Sequence, residues 1–186
     1  METAESSTIL LERLARILQN EAHAAGLKPT QWEALRYLAR ANRFSRNPSA
    51  LTAYLGTTKG TVSQTLNALE RKGLLVKKTD HVDRRQVDID LTRKARQLLD
   101  EDPIHALTVA MASLPVGEQA GLGDGLRTML EEALRRRGGR PFGVCRSCRF
   151  FRTDDSRGAP HRCGLLDVPL SDSDSRQICV EQQALC

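Results

Sequence analysis

Residues 30–91 constrain the fold most, because helical and strand periodicities follow one another there with a stop or start signal at every junction. Thr30 and Glu33 have the Thr-x-x-Glu spacing of a capping box and predict a helix to about Ala41, with Trp32, Leu35, Tyr37 and Leu38 inward. Residues 42–47 are polar and basic and read as a loop. Asn47-Pro48 supplies an N-cap and a first-turn proline for a short helix with Leu51, Tyr54 and Leu55 inward, closed by Gly56. Thr57 or Thr58 then caps a third helix, whose inward stripe is Val62, Leu66 and Leu69; Gly73 stops it. Residues 74–78 read as a strand, 79–85 as a charged turn, and 86–91 as a second strand with Val87, Ile89 and Leu91 alternating. Helix, short helix, helix and hairpin is the order of a winged helix-turn-helix.

Helices flank this block. Residues 7–25 carry one apolar stripe, Ile9, Leu10, Leu14, Ile17 and Leu18, ended by Gly26. Thr92 caps a helix toward Leu99, Pro103 kinks or restarts it, and it continues to Leu114. Pro115 opens a long helix to about Arg137, weakened by Gly121, Gly123 and Gly125. Gly138-Gly139-Arg140-Pro141 is a breaker that divides residues 1–137 from 138–186. The expected class is mainly α with a small β-wing (α+β). No run approaches 18 consecutive apolar residues and no signal peptide stands at the start, so a cytoplasmic protein with no membrane partner is expected.

The net charge of +5 is unevenly spread: residues 42–96 hold 12 basic and 5 acidic side chains, and the remainder has no basic excess. A basic stretch on a winged helix suits a nucleic-acid surface, although a solvated charged face is the plain alternative. The third helix offers Thr57, Thr58 and Lys59 at its N-terminus for phosphate. Gln64 and Asn67 can pair bidentately with adenine, while Thr61 and Ser63 are more permissive. Arg84 and Arg85 in the hairpin turn suit the minor groove or its phosphates. No nucleophilic triad, phosphate-binding glycine loop or paired carboxylate points to an enzyme.

The segments Gln31-Trp32-Glu33-Ala34-Leu35-Arg36-Tyr37-Leu38, Leu51 to Leu66, and Leu69-Glu70-Arg71-Lys72-Gly73-Leu74, with Asp83-Arg84-Arg85 and Leu91-Thr92, resemble the MarR family of transcriptional regulators over roughly residues 7–137. That resemblance implies a homodimer held by the first and last two helices. It implies double-stranded DNA with a pseudo-palindromic operator, the 58–67 helix in the major groove and Arg85 at the wing. Asp83 would pair with a basic residue to position the wing arginine.

All five cysteines lie in the last 42 residues, as C-x2-C-x14-C-x15-C-x6-C. The Cys145/Cys148 pair can share a metal centre on one turn, and Cys163 and Cys179 complete a four-thiolate set, with terminal Cys186 spare. One pair plus two isolated ligands loosely resembles small iron–sulfur modules, which favours a 4Fe–4S cluster; Zn2+ is the alternative, with His161 as a possible ligand, and unmetallated thiols or a disulfide come after it. Six arginines (146, 149, 152, 157, 162 and 176) could offset thiolate charge. The expected function is a dimeric DNA-binding regulator whose cluster senses redox, oxygen or iron state by packing against the dimerisation helices. A regulator of a small organic ligand with a structural four-cysteine zinc site is the alternative, and a redox or electron-transfer module a lesser one.

Overall fold

The computed structural model describes residues 3–21, 26–79, 87–155 and 158–184. Helix α1 (Ala4–Glu21) precedes α2 (Pro29–Arg40), α3 (Pro48–Leu55) and α4 (Lys59–Arg71). Strands β1 (Leu75–Thr79) and β2 (Val87–Leu91) pair antiparallel, with Lys77 opposite Ile89. Helices α5 (Arg93–Asp100), α6 (His105–Ala112) and α7 (Val116–Arg136) follow.

The breaks fall where the residue chemistry demands. Asn47 accepts from the Ala50 N–H at 2.9 Å and caps α3, and Pro48 needs no helical donor at that position. Gly56 takes φ 59°, a left-handed turn closed to most side chains, so α3 ends there. Thr58 caps α4 through the Thr61 N–H, and Thr92 caps α5 through the Ala95 N–H, each at 3.2 Å. The start of α2 differs from expectation. Pro29 takes the first helical turn and the Gln31 side chain accepts from the Lys28 N–H at 3.0 Å, so the boundary lies before Thr30. A proline with fixed φ starts a helix more readily than the Thr30–Glu33 pair moves it inward.

Trp32, Leu35, Leu51, Val62, Leu66, Leu69 and Ile89 form the centre of the core, all but fully buried. Arg36 on α2 clamps Asp102 with two bonds of 2.7 and 2.6 Å, tying α2 to the turn after α5. By contrast, α6 and α7 bury no residue, and α1 leaves Ile9, Leu10, Leu14 and Ile17 exposed. The three glycines in α7 do not interrupt it. Among the described residues no helix is long and apolar enough to cross a membrane.

Beyond Gly138 the chain forms small antiparallel pieces. Strand β3 (Gly143–Val144) pairs with β7 (Ile178–Cys179), and β4 (Phe151–Asp155), β5 (Ala159–Cys163) and β6 (Val168–Leu170) form a three-stranded sheet; a one-turn helix, α8 (Asp172–Ser175), precedes β7. This segment does not stand apart. Ile178 belongs to the winged-helix core, with Phe142 and Val180 packed beside it. Phe142 meets Tyr37 and Tyr54 edge-on.

Candidate nucleic-acid interface and cysteine site

Helix α4 buries Val62, Thr65, Leu66 and Leu69, so the opposite face turns outward. Lys59, Thr61, Ser63, Gln64 and Asn67 are all exposed on it. Three of the residues singled out are already engaged. The Thr58 hydroxyl serves the helix cap and lies 3.0 Å from the Thr61 hydroxyl. Asn67 Oδ1 accepts from Lys77 Nζ at 2.6 Å, and the same ammonium meets Glu70 at 2.7 Å. Thr57 is half-buried at the α3–α4 turn. Asp83, Arg84 and Arg85 lie outside the described residues. The wing's base is held by Asp90, which pairs with Lys78 at 2.7 Å and Arg46 at 3.1 Å; the Lys78 bond, foremost, keeps its carboxyl below the usual range against the opposing effect of burial.

Residues 25–86 match the family model described as MarR family. That segment folds as a winged helix. The uncharacterized HTH-type transcriptional regulator YkoM of Bacillus subtilis is 36% identical over 91 residues, 47% of this chain; the match spans only 56% of that protein's length. Among solved structures, a MarR transcriptional regulator from Methanosarcina mazei has a TM-score of 0.57 at 22% identity, covering 70% of this chain and 95% of the other. An S. aureus MepR–DNA complex has a TM-score of 0.56 at 21% identity, covering 71% and 99%. Streptococcus pneumoniae FabT in complex with DNA has 0.53 at 24%, covering 68% and 91%. These structural likenesses establish the shared fold.

In the segment that follows this winged helix, the structure brings Cys145, Cys148, Cys163 and Cys179 to the wall of one cavity, with Phe150, Phe151, Leu165, Leu170 and Glu181. It encloses about 270 Å³, counting its open mouth. Three of the four sulfurs have an N–H donor. Asn42 Nδ2 donates to Cys145 Sγ at 3.3 Å, the Leu166 backbone to Cys163 and the Gln183 backbone to Cys148, each at 3.5 Å. Donors aimed at sulfur favour the thiolate, the form that binds metal. The Cys145 and Cys179 side chains also act on one another. The Cys145 thiol, foremost, then Asn42, the Glu181 backbone and Ser45, draw Cys179 down to about 6 against the opposing effect of burial, and the same contact pushes Cys145 far up.

The thiols surround the cavity without converging: among the described residues no three Cys, His, Asp or Glu side chains are grouped as ligands of one ion. Zinc–sulfur bonds of about 2.3 Å require sulfurs within about 4 Å of one another. His161 is directed elsewhere, with Nε2 2.9 Å from Asp172 and its ring on Phe151. The arginines do not supply the donors named above. Arg146 reaches Ser175, Arg152 the carbonyls of Arg149 and Phe151, and Arg162 Asp167. They lace the segment's own turns.

Sequence reasoning missed Asn42 and Ser45. Both sit in the loop read as a plain polar connection, and both are fully buried. The cysteine segment covers that loop. Ala41 bridges Ile178, the Asn42 N–H donates to the Ile178 carbonyl at 2.9 Å, and Arg43 donates to the Pro169 carbonyl at 2.6 Å. The expectation that the segment packs against the dimerisation helices is corrected here: it packs on the α2–α3 turn. Short polar side chains carry no hydrophobic pattern, so the only sequence hint was an Asn and a Ser beside an aromatic, Phe44, in a basic loop.

Proposed function

We propose that this chain is a DNA-binding transcriptional regulator that works as a homodimer and whose four cysteines hold an iron–sulfur cluster that reports redox, oxygen or iron state. One observation carries the combined reading: a winged helix with an outward polar face on α4 bears, in the same chain, four sulfurs around one cavity, three of them with an N–H donor. The two DNA-bound relatives support the DNA part by likeness of fold. The exposed apolar residues of α1, with Val109, Leu122, Met129 and Leu130 on α6 and α7, support the dimer, because a second copy would cover them. In such a dimer the two α4 helices would read half-sites about one DNA turn apart, on a pseudo-palindromic operator.

For the cysteine site, four thiols that line one cavity without grouping as ligands of one ion suit a polynuclear group better than a single zinc ion. Cys145, Cys148, Cys163 and Cys179 would hold it, and it would supply an oxidisable, oxygen-labile centre. Phe150, Phe151, Leu165 and Leu170 would limit its access to water.

Metal analysis and visible absorption of protein purified without oxygen test the cluster. About four irons per chain and a coloured protein are expected. About one zinc per chain in colourless protein would replace the cluster with a structural Zn2+ site and move the signal to a small organic ligand. Enrichment of duplexes from a randomised pool tests the DNA part. Failure of any duplex to compete would leave the redox-module reading.

A further inference from the structure

The buried turn between α2 and α3 is pinned at two places, one on each arm of the cysteine site. On the first arm, Asn42 Nδ2 bonds to Cys145 Sγ at 3.3 Å. On the second, the residues either side of Cys179 are held: the Asn42 N–H donates to Ile178 O at 2.9 Å, and the Val180 N–H donates to Ser45 Oγ at 2.9 Å. The turn therefore spans the gap between Cys145 and Cys179.

The same turn sets the DNA-facing unit. The Ser45 N–H closes on Asn42 O at 3.0 Å, and the Tyr37 hydroxyl donates to Ser45 O at 2.8 Å. Phe44 then receives Asn47 Nδ2 on its carbonyl at 3.1 Å, and Asn47 Oδ1 caps α3. Arg46 O accepts from the Ile89 N–H of β2 at 2.8 Å, and the Arg46 guanidinium meets Asp90 at the base of the wing. Asn42, Phe44, Ser45, Arg46 and Asn47 thus link a cysteine sulfur to the N-terminus of α3 and to the wing.

We infer that Asn42, seconded by Ser45, is the positioning residue that couples the state of the cysteine site to DNA affinity. The inference rests on the regulator reading above. A group shared by four sulfurs fixes the Cys145–Cys179 separation. When the group is lost that separation is free to change, and a buried turn anchored to both arms must follow it. The cap of α3 and the seating of β2 move with the turn, and these set how α4 and the wing are presented together. Asn42 is suited to the role because its side chain is engaged at both ends: Oδ1 accepts from the Phe44 N–H at 3.1 Å while Nδ2 holds the sulfur. No water competes, since Asn42 and Ser45 are fully buried.

A double-mutant cycle on the full chain tests this. Wild type, Cys145→Ser, Asn42→Ala and the double variant are purified without oxygen, their iron and zinc are measured, and each is titrated with the duplex that wild type enriches from a randomised pool. Cys145→Ser and Asn42→Ala should each change Kd about tenfold in the same direction, and the double variant should differ from either single by less than about threefold. Asn42→Ala should keep the cooperative melting of wild type, and Kd is compared at the measured metal content, because the variant also loses the donor to Cys145. Independent effects that multiply in the double variant, or an Asn42→Ala protein with wild-type Kd, overturn the inference. If Asn42→Ala loses cooperative melting, the Ser45→Ala and Cys145→Ser cycle decides by the same criterion. Metal-free wild type with a non-additive cycle removes the cluster and keeps the coupling; loaded wild type with multiplying effects removes the coupling alone.

Discussion

At the residue scale, buried polar groups with full sets of partners do more than the apolar pattern suggests. Asp102 is 4% exposed. Burial opposes its charge, but the two Arg36 bonds and the Ile104 N–H outweigh that and hold its carboxyl below the usual range. A depressed carboxyl contributes stability that is full above the unfolded value near ~3.9 and is lost as pH falls through the folded value. Denaturant unfolding of wild type and Asp102→Asn should therefore differ at pH 7 and converge in acid below about pH 4. Arg36→Ala leaves the buried carboxylate unpaired and should destabilise by about 2 kcal/mol, below the range for fully enclosed pairs because Arg36 keeps some water. Tyr37→Phe removes the donor from Ser45 O, a loss of about 1–2 kcal/mol in the same assay.

At the element scale, the helix-turn-helix is held by its junctions. Gly56→Ala forces a side chain into a left-handed turn, and Thr58→Ala strips the cap from α4. Each should lower stability by about 1 kcal/mol, read as a shift in the denaturant midpoint. Thr58→Ala should also weaken DNA binding, since it loosens the N-terminus nearest the expected phosphates. The junctions at Asn47-Pro48, Gly56, Gly73 and Thr92 were legible in the sequence because caps, prolines and left-handed glycines act locally. The start of α2 was misjudged because two local signals competed and the proline prevailed.

At the scale of the whole molecule, the winged helix and the cysteine segment share a core. Ile178 fills a place among the helices' own residues, with Phe142 and Val180 beside it. Ile178→Ala should destabilise by about 2–4 kcal/mol, and the thermal transition of the winged helix should move down with it. Wild-type melting on loss of residues 140–186 would sink the shared-core picture. The charge map has a matching consequence: DNA affinity should fall steeply with salt, as expected when basic side chains on the 42–96 stretch displace counterions from phosphate.

The sequence by itself determined the order of elements from α2 to α5, their caps, and the inward stripes Trp32–Leu35–Leu38 and Val62–Leu66–Leu69. These rest on neighbours a few positions apart, where periodicity and turn chemistry are complete. It also singled out the four cysteines as one chemical set. Only the tertiary structure decided where that set sits. The docking of Cys145 on Asn42 joins positions 103 residues apart through one amide–sulfur bond. A contact of that kind has no period and no composition bias, so it becomes visible only once the chain is folded.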